Sequence, residues 1–413
     1  MTNWRIKLSI FINYFVFAIL LNSVGTVILQ VQNNYGISES SASVLEAFKD
    51  LSIAITSFLI ASYIARIGYK RSMLIGLAFI GGVCLFMPVM PSFWMTKLLF
   101  AATGISFALI KVSAFATLGI ITKDKKEHVS LMNFLESFFM IGVLSGYFIF
   151  TLYVEDSDLR STSWLKVYYL LAGMTFLAFL LLWTTPLDES KVVKESSKSF
   201  SDEFLDMVRL VWKPMVLLFV ISAFLYVLIE QGIMTWLPTF NSRILNLPTT
   251  LSIQMASILA ASTAVGRFAA GFILRKVPWL PMLSICLLLS AVLVVFSIPL
   301  ASNATVEGIT SWTNAPLAAY IFPLIGLCLA PIYPAINSVI LSALPIEKHA
   351  PMSGLIVVFS ALGGTTGSII TGNLFEIIGG QQAFYLSLVP ITIILVALYF
   401  FKKATDRAAT VSA

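Results

Sequence analysis

The apolar positions of the chain fall into twelve long runs that are separated by mostly short polar segments. Each run is long enough for a helix that crosses a bilayer, which needs roughly 20 apolar residues. The pattern therefore predicts an all-α membrane protein with twelve transmembrane helices. The predicted spans are 8–30, 43–65, 71–90, 94–121, 129–153, 164–184, 213–240, 250–273, 279–299, 315–343, 350–375 and 382–402.

The composition excludes a soluble globular protein. Of the 413 residues, 58% are hydrophobic and only 11% are charged, whereas a soluble domain carries roughly 25% charged residues. The first apolar run is too long for the core of a cleavable signal peptide. The three cysteines lie in apolar runs at unrelated spacings, which is not the pattern of a metal site or a disulfide framework.

The polar segment between the sixth and seventh spans predicts the domain organisation. We expect an N-terminal six-helix bundle over 1–187, a cytoplasmic linker over 188–212 and a C-terminal six-helix bundle over 213–413. If the N-terminus is inside, nineteen of the 26 Lys and Arg residues fall on the cytoplasmic side. This asymmetry predicts that both termini are cytoplasmic.

The same placement explains the net charge of +6 without a nucleic-acid partner. The lipid bilayer is the expected environment, and a monomer is the expected state. The short termini and loops favour a bacterial inner (cytoplasmic) membrane.

The two halves repeat a short motif. Small residues and a basic turn follow the second span, over 61–71, and the eighth span, over 266–276. Paired six-helix halves are typical of secondary transporters that bind solute near the membrane midplane. The first turn resembles the Gly-x-x-x-Asp-Arg-x-Gly-Arg-Lys signature of the major facilitator superfamily, although Ala65 stands where that signature has Asp. The positions that match are Arg66, Gly68, Lys70 and Arg71.

Further segments resemble one branch of that superfamily, the fucose permease-like proton symporters, together with the TsgA-like proteins. Asn22-Ser23 and the segments 266–268 and 331–338 are similar to fucose permease motifs, and 136–139 and 231–238 are similar to the TsgA-like proteins. The resemblance implies the major facilitator fold, proton symport and a sugar-like solute.

Two departures from the branch change this expectation. The fucose permease family uses one acidic residue in helix one and another in helix four, and Ser23 and Lys111 stand at the matching positions. The proton-carrying pair of the family is therefore not present as such. Proton coupling in this chain must use other carboxylates.

Three ionisable residues are predicted to share the middle layer of the membrane: Asp50, Lys111 and Glu136. A charge in hydrocarbon costs several kcal/mol and persists where it faces a partner or a watery cavity. The functional interpretation is a network in which Glu136 or Asp50 takes up a proton and Lys111 releases it or binds solute. The alternative is a set of static ion pairs that fixes helix packing.

Other charged residues lie nearer the helix ends. Glu46 and Lys49 are spaced i,i+3 and can pair on one face, which favours a gate or a solvated pair towards the outer end. Glu230 and Gln231 are placed towards the outer half, where they contact solute or serve a gate. Arg267 is placed near the inner end of helix eight, in a structural or gating role.

Neutral polar residues complete the predicted solute site. Asn22, Asn133 and Asn337 lie within spans, and their amides suit a hydroxylated solute. The rings of Tyr333 and Trp236 can stack against a sugar. The alternative for each is a hydrogen bond between helices.

These features together predict a secondary active transporter that works by alternating access. We expect proton-coupled symport of a small polar solute, a sugar, a sugar derivative or an organic anion or zwitterion. Sodium is the alternative coupling ion. The alternatives are a proton-driven exporter of amphipathic compounds and a transport-inactive membrane sensor or scaffold. The sequence has no catalytic constellation and no Walker-type loop, so neither an enzyme nor a cofactor is expected.

Overall fold

The chain forms helices throughout the part that the structure, a computed structural model, describes. The described residues are 3–60, 64–122, 125–187, 189, 208–302, 309, 311–345 and 348–412. Most of the predicted linker over 188–212 lies outside them. Contacts between residues divide the chain into two compact units.

The first unit comprises Met1–Ile37 and Leu45–Ser197. A short 3₁₀-helix, Ser163–Lys166, leads into its last long helix. Its helices, within the described residues, are α1 (Asn3–Asn22), α2 (Val24–Tyr35), α3 (Glu39–Ile60), α4 (Ile64–Ile67), α5 (Tyr69–Phe86), α6 (Phe93–Ile121), α7 (Lys125–Thr151) and α8 (Val167–Thr184).

The second unit comprises Ser38–Val44 and Lys198–Ala413. The start of α3 belongs to it because, for example, the backbone N–H of Ser40 donates to Glu376 Oε2 at 2.9 Å. Its other described helices are α9 (Pro214–Arg243), α10 (Thr249–Ile273), α11 (Trp279–Ser302), α12 (Ala318–Ile321), α13 (Ile325–Leu329), α14 (Ile332–Ser342), α15 (His349–Ile378), α16 (Gly380–Tyr385) and α17 (Leu388–Ser412).

Eleven helices in the described part of the chain are long and apolar enough to cross a membrane. They coincide with eleven of the twelve predicted spans. The exception is the span predicted over 43–65, which corresponds to α3. This helix has 22 residues, but Glu46, Lys49 and Asp50 lower its hydropathy. The chain is thus a multi-pass membrane protein, and the twelfth crossing stays a prediction.

The first predicted span, 8–30, is interrupted near its middle. Asn22 Nδ2 donates to the carbonyl of Ala18 at 2.8 Å, and Ser23 Oγ donates to the carbonyl of Leu20 at 2.8 Å. Side chains that bond to nearby backbone carbonyls compete with the helical hydrogen bonds and often bend a helix. The span therefore consists of α1 and α2, joined at Ser23.

The tenth predicted span, 315–343, is also discontinuous. Pro323 and Pro331 lack the backbone N–H that a helix interior uses. The segment is divided into α12, the 3₁₀-helix Phe322–Leu324, α13 and α14.

Glycines allow close helix contact in both units. A Cβ at Gly142 of α7 would clash with the backbone of Phe15 in α1. Glycines in the run 360–368 lie in the same way against α9. A Cβ at Gly363 would clash with the carbonyl of Phe224, and one at Gly367 with that of Leu228.

Candidate functional site

A buried group of three charged side chains lies on α3. Lys49 Nζ is 2.5 Å from Glu46 Oε1 and 3.5 Å from Asp50 Oδ1. Glu46 is fully buried, Lys49 is 7% exposed and Asp50 is partly exposed. We call Glu46, Lys49 and Asp50 the Lys49 group. It holds two carboxyl groups and one ammonium group.

The backbone around the Lys49 group holds it in place. Lys49 Nζ also donates to the carbonyl of Leu21 at 3.3 Å, close to the junction at Ser23. Helix α6 lies directly against α3 at this level, because a Cβ at Gly104 would clash with the carbonyl of Lys49. The Lys49 group is therefore bonded to the end of α1 and covered by α6.

This geometry revises two of the predicted arrangements. The predicted network of Asp50, Lys111 and Glu136 is divided, because Asp50 interacts with Lys49 and Glu46 instead of Lys111. The pair of Glu46 and Lys49 forms as its i,i+3 spacing predicts, but it is buried and not solvated. The lysine side chain is long and flexible enough to contact carboxylates on both sides of its own position.

Lys111 of α6 and Glu136 of α7 form a different kind of pair. Both side chains are exposed at the surface of the first unit. Glu136 is close enough for its charge to act on Lys111. In the described part of the chain no ion pair within 4 Å joins them. The two opposite charges are thus neighbours that do not bond each other directly.

Aromatic rings surround Lys111. Its Nζ lies 5.7 Å from the centroid of Phe107 and 5.9 Å from that of Phe115. The ring of Tyr14, on α1, contacts both of these rings at 6.2 and 6.1 Å. Phe139 of α7 contacts Tyr14 and Phe107, each at 6.2 Å. We call Tyr14, Phe107, Phe115 and Phe139 the aromatic cluster.

The second unit has its own charged pair. Arg267 Nη2 lies 3.3 Å from Glu230 Oε1, with side-chain exposures of 44% and 18%. The hydroxyl of the buried Tyr226 donates to the same oxygen at 2.7 Å. The sequence placed Arg267 near the inner end of its helix and Glu230 in the outer half, and the structure pairs them.

Two further predicted residues lie beside this pair. The rings of Tyr226 and Tyr333 stack, with centroids 5.6 Å apart. The hydroxyl of Tyr333 is 2.6 Å from Ser360 Oγ and lies near Asn337. The stacked rings therefore connect the Glu230–Arg267 pair to a small hydroxyl and amide cluster.

The remaining candidates have local surroundings. Asn22 donates within its own helix, as described above, and is partly exposed. Gln231 is partly exposed beside Glu230. The side chain of Asn133 lies outside the described residues. Trp236, a candidate for stacking on a sugar, is fully buried and donates to the carbonyl of Ser368 at 3.0 Å, so it packs helices together instead.

The sequence did not single out Tyr14, Phe107, Phe115 or Tyr226. These rings lie within apolar runs rich in aromatic residues. Nothing in the sequence distinguishes them there from residues that only pack in the core. The only signal was spacing, since Phe107 and Phe115 lie one turn before and one turn after Lys111. Residues four apart on a helix are neighbours on its surface.

Comparison with known proteins adds a family match. The model described as Major Facilitator Superfamily matches residues 9–322. No curated protein matches the sequence.

Solved structures of transporters share the fold at low sequence identity. A bacterial homolog to the human lysosomal transporter Spinster, inward-facing and unoccupied, superposes with a TM-score of 0.74 at 14% identity, covering 99% of this chain and 98% of that chain. The inward-open xylose transporter XylE from E. coli gives 0.73 at 15% identity, covering 97% and 96%. The nucleoside transporter NupG gives 0.71 at 14% identity, covering 96% and 99%.

Proposed function

The chain belongs to the major facilitator superfamily, and we propose that it is a proton-coupled symporter that moves a small polar solute by alternating access. The observation that carries the proposal is the Lys111–Glu136 pair, two exposed and unbonded opposite charges within membrane-spanning helices. A charge at this depth is costly unless it faces water or a ligand. A solute that reaches the pair would provide that ligand.

We assign proton coupling to the Lys49 group. With one ammonium and two carboxyl groups, it carries an excess negative charge when all three are ionised. Burying charged groups costs several kcal/mol, so taking up one proton lowers the charge that the group carries inside the protein. Asp50 is the more exposed of the two carboxyl groups and is the one that exchanges its proton with water.

The roles of the other candidates follow from their contacts. Lys111 and Glu136 bind the solute. In the second unit the Glu230–Arg267 pair, with Gln231, Tyr333 and Asn337, supplies further solute contacts or a gate. The fold likeness to the XylE xylose transporter supports solute transport in general. The solute-binding role of Asn22 and Asn133 and the bacterial inner-membrane location remain predictions.

Proton movement in proteoliposomes tests the proposal. The purified protein is reconstituted with a pH-sensitive dye inside, and sugars, sugar acids and amino acids are added outside, with and without a sodium gradient. We expect acidification that depends on one class of solute, does not require sodium and is absent from protein-free liposomes. Uptake that depends on sodium without acidification contradicts proton coupling, and no uptake or export of any solute favours a sensor or scaffold.

A further inference from the structure

We propose that Lys111, Glu136 and the aromatic cluster bind a small zwitterion with an apolar ring, that is, an amino-acid-like solute. This inference rests on the proposed function and names the substrate class of its solute site. It combines the charges of α6 and α7 with the rings that surround them in the first unit.

The charges require a ligand with two opposite ends. Lys111 presents an ammonium group that suits a carboxylate, and Glu136 presents a carboxylate that suits an ammonium group. A neutral sugar brings no charge to either protein group when the site closes. A simple anion or cation balances only one of them. A zwitterion balances both at no net charge, which removes the cost of carrying an unpaired charge into a closed site.

The Glu230–Arg267 pair shows why the first unit is favoured for this role. There the two side chains bond each other at 3.3 Å, and the Tyr226 hydroxyl also bonds the carboxylate. A ligand must break existing bonds to replace them. Lys111 and Glu136 have no such direct bond to each other and are both exposed, so a zwitterion adds contacts without breaking an ion pair.

The rings favour an apolar group next to the charged ends. Phe107 and Phe115 approach Lys111 Nζ within 6 Å, and Tyr14 and Phe139 pack against these rings from two further helices. Pairs of aromatic rings contribute stabilising free energy beyond that of the apolar area that they bury. A ring on the solute can therefore pack against Phe115 and Phe139, which are partly exposed, while its charged groups bind Lys111 and Glu136.

The hydroxyl of Tyr14 is a further polar group beside this pair. Its side chain is 2% exposed, and its hydroxyl has no hydrogen-bond partner among the described residues. Glu136 is near enough for its charge to act on this hydroxyl. Buried polar groups are nearly always hydrogen-bonded, so a polar atom of the solute is a fitting partner for it.

Binding to the purified full-length protein in detergent tests the inference without any ion gradient. Four probes share one phenyl ring and differ in charge: L-phenylalanine, 3-phenylpropionate, 2-phenylethylamine and 2-phenylethanol. Glycine and L-fucose complete the set. We expect calorimetry to give an affinity for L-phenylalanine that is about tenfold to a hundredfold above that of each other probe, the contribution of one charge-assisted hydrogen bond or ring contact.

Variants assign each end of the ligand. Lys111→Met should lose the preference for L-phenylalanine over 2-phenylethylamine, and Glu136→Gln should lose the preference over 3-phenylpropionate. Lys97→Met is the matched control, since Lys97 lies on the same helix with its Nζ 4.5 Å from the rings of Phe93 and Trp94. It should bind all probes as the wild type does. Thermal unfolding of each variant confirms that it is folded.

Three results would overturn the inference. They are tighter binding of L-fucose or 2-phenylethanol than of L-phenylalanine, an equal loss in Lys97→Met, and no binding of any probe up to about 1 mM, the upper end of the range usual for small substrates. If a sugar drives proton uptake while L-phenylalanine does not bind, the zwitterion is wrong and symport stands. If L-phenylalanine binds and no proton moves, the coupling is wrong and the site stands.

Discussion

The first unit places lysine beside glutamate in two different environments. In the Lys49 group the ammonium is buried and bonded to two carboxyl groups and a backbone carbonyl. Lys111 and Glu136 are exposed and have no direct bond to each other. The same residue types thus produce a closed charge cluster in one place and an open one in the other. Burial and bonding, more than residue type, separate a group suited to hold a proton from a group suited to bind solute.

The largest expected effect comes from removing the central charge of the buried cluster. Lys49→Met removes the ammonium group that Glu46 and Asp50 both contact, so we expect it to lower the free energy of unfolding by about 3–5 kcal/mol. Lys111→Met removes an exposed charge and should cost less than about 1 kcal/mol. Denaturant or thermal unfolding in the same detergent measures both. Equal decreases in the free energy of unfolding for the two variants would contradict a difference between the environments of Lys49 and Lys111.

A smaller effect should follow from disturbing the helix contact that covers the Lys49 group. Gly104→Ala places a Cβ against the carbonyl of Lys49 and the side chain of Ser52, and overpacking of this kind costs about 1–3 kcal/mol.

The control is Gly82→Ala, because nothing lies within 4 Å of a Cβ at that position. Alanine is the better helix former by about 1 kcal/mol, so this variant should be as stable as the wild type or more so. Unfolding measurements on the two alanine variants test the contact. A Gly104→Ala protein as stable as Gly82→Ala would show that α6 is not tightly packed on α3.

The smallest effect is expected in the second unit. Tyr226→Phe removes the hydroxyl that donates to Glu230, while Arg267 still pairs with the carboxylate. We expect a loss of about 1 kcal/mol in the free energy of unfolding, the net value of one hydrogen bond. Tyr399→Phe, at a side chain that is 61% exposed, should change stability by less than about 0.5 kcal/mol. Indistinguishable values for the two variants would contradict the hydrogen bond from Tyr226 to Glu230.

The sequence predicted the positions of the spans well because span length and apolar composition are properties of local sequence. It missed the junction at Ser23. This junction depends on the backbone carbonyls to which the side chains of Asn22 and Ser23 donate hydrogen bonds. It also missed the divided α12–α14 segment, although Pro323 and Pro331 were visible. Prolines within membrane helices are common, so a proline alone does not predict a break.

The arrangement of the site was harder to predict than its members. Depth along a helix follows from the rise per residue, which placed Asp50, Lys111 and Glu136 in one layer. Depth does not say which neighbouring helix a side chain meets. The structure pairs Asp50 with its chain neighbour Lys49. It pairs Arg267 of α10 with Glu230 of α9. Both arrangements depend on tertiary packing.

The central claim is that proton and solute occupy different groups, and one comparison in proteoliposomes tests it most directly. Asp50→Asn and Lys111→Met are each assayed for solute-driven proton movement and for solute exchange across a membrane without a proton gradient. The account predicts that Asp50→Asn loses proton movement and keeps exchange, whereas Lys111→Met loses both. Normal proton movement by Asp50→Asn would contradict it and would return the proton to Glu136 or another carboxylate.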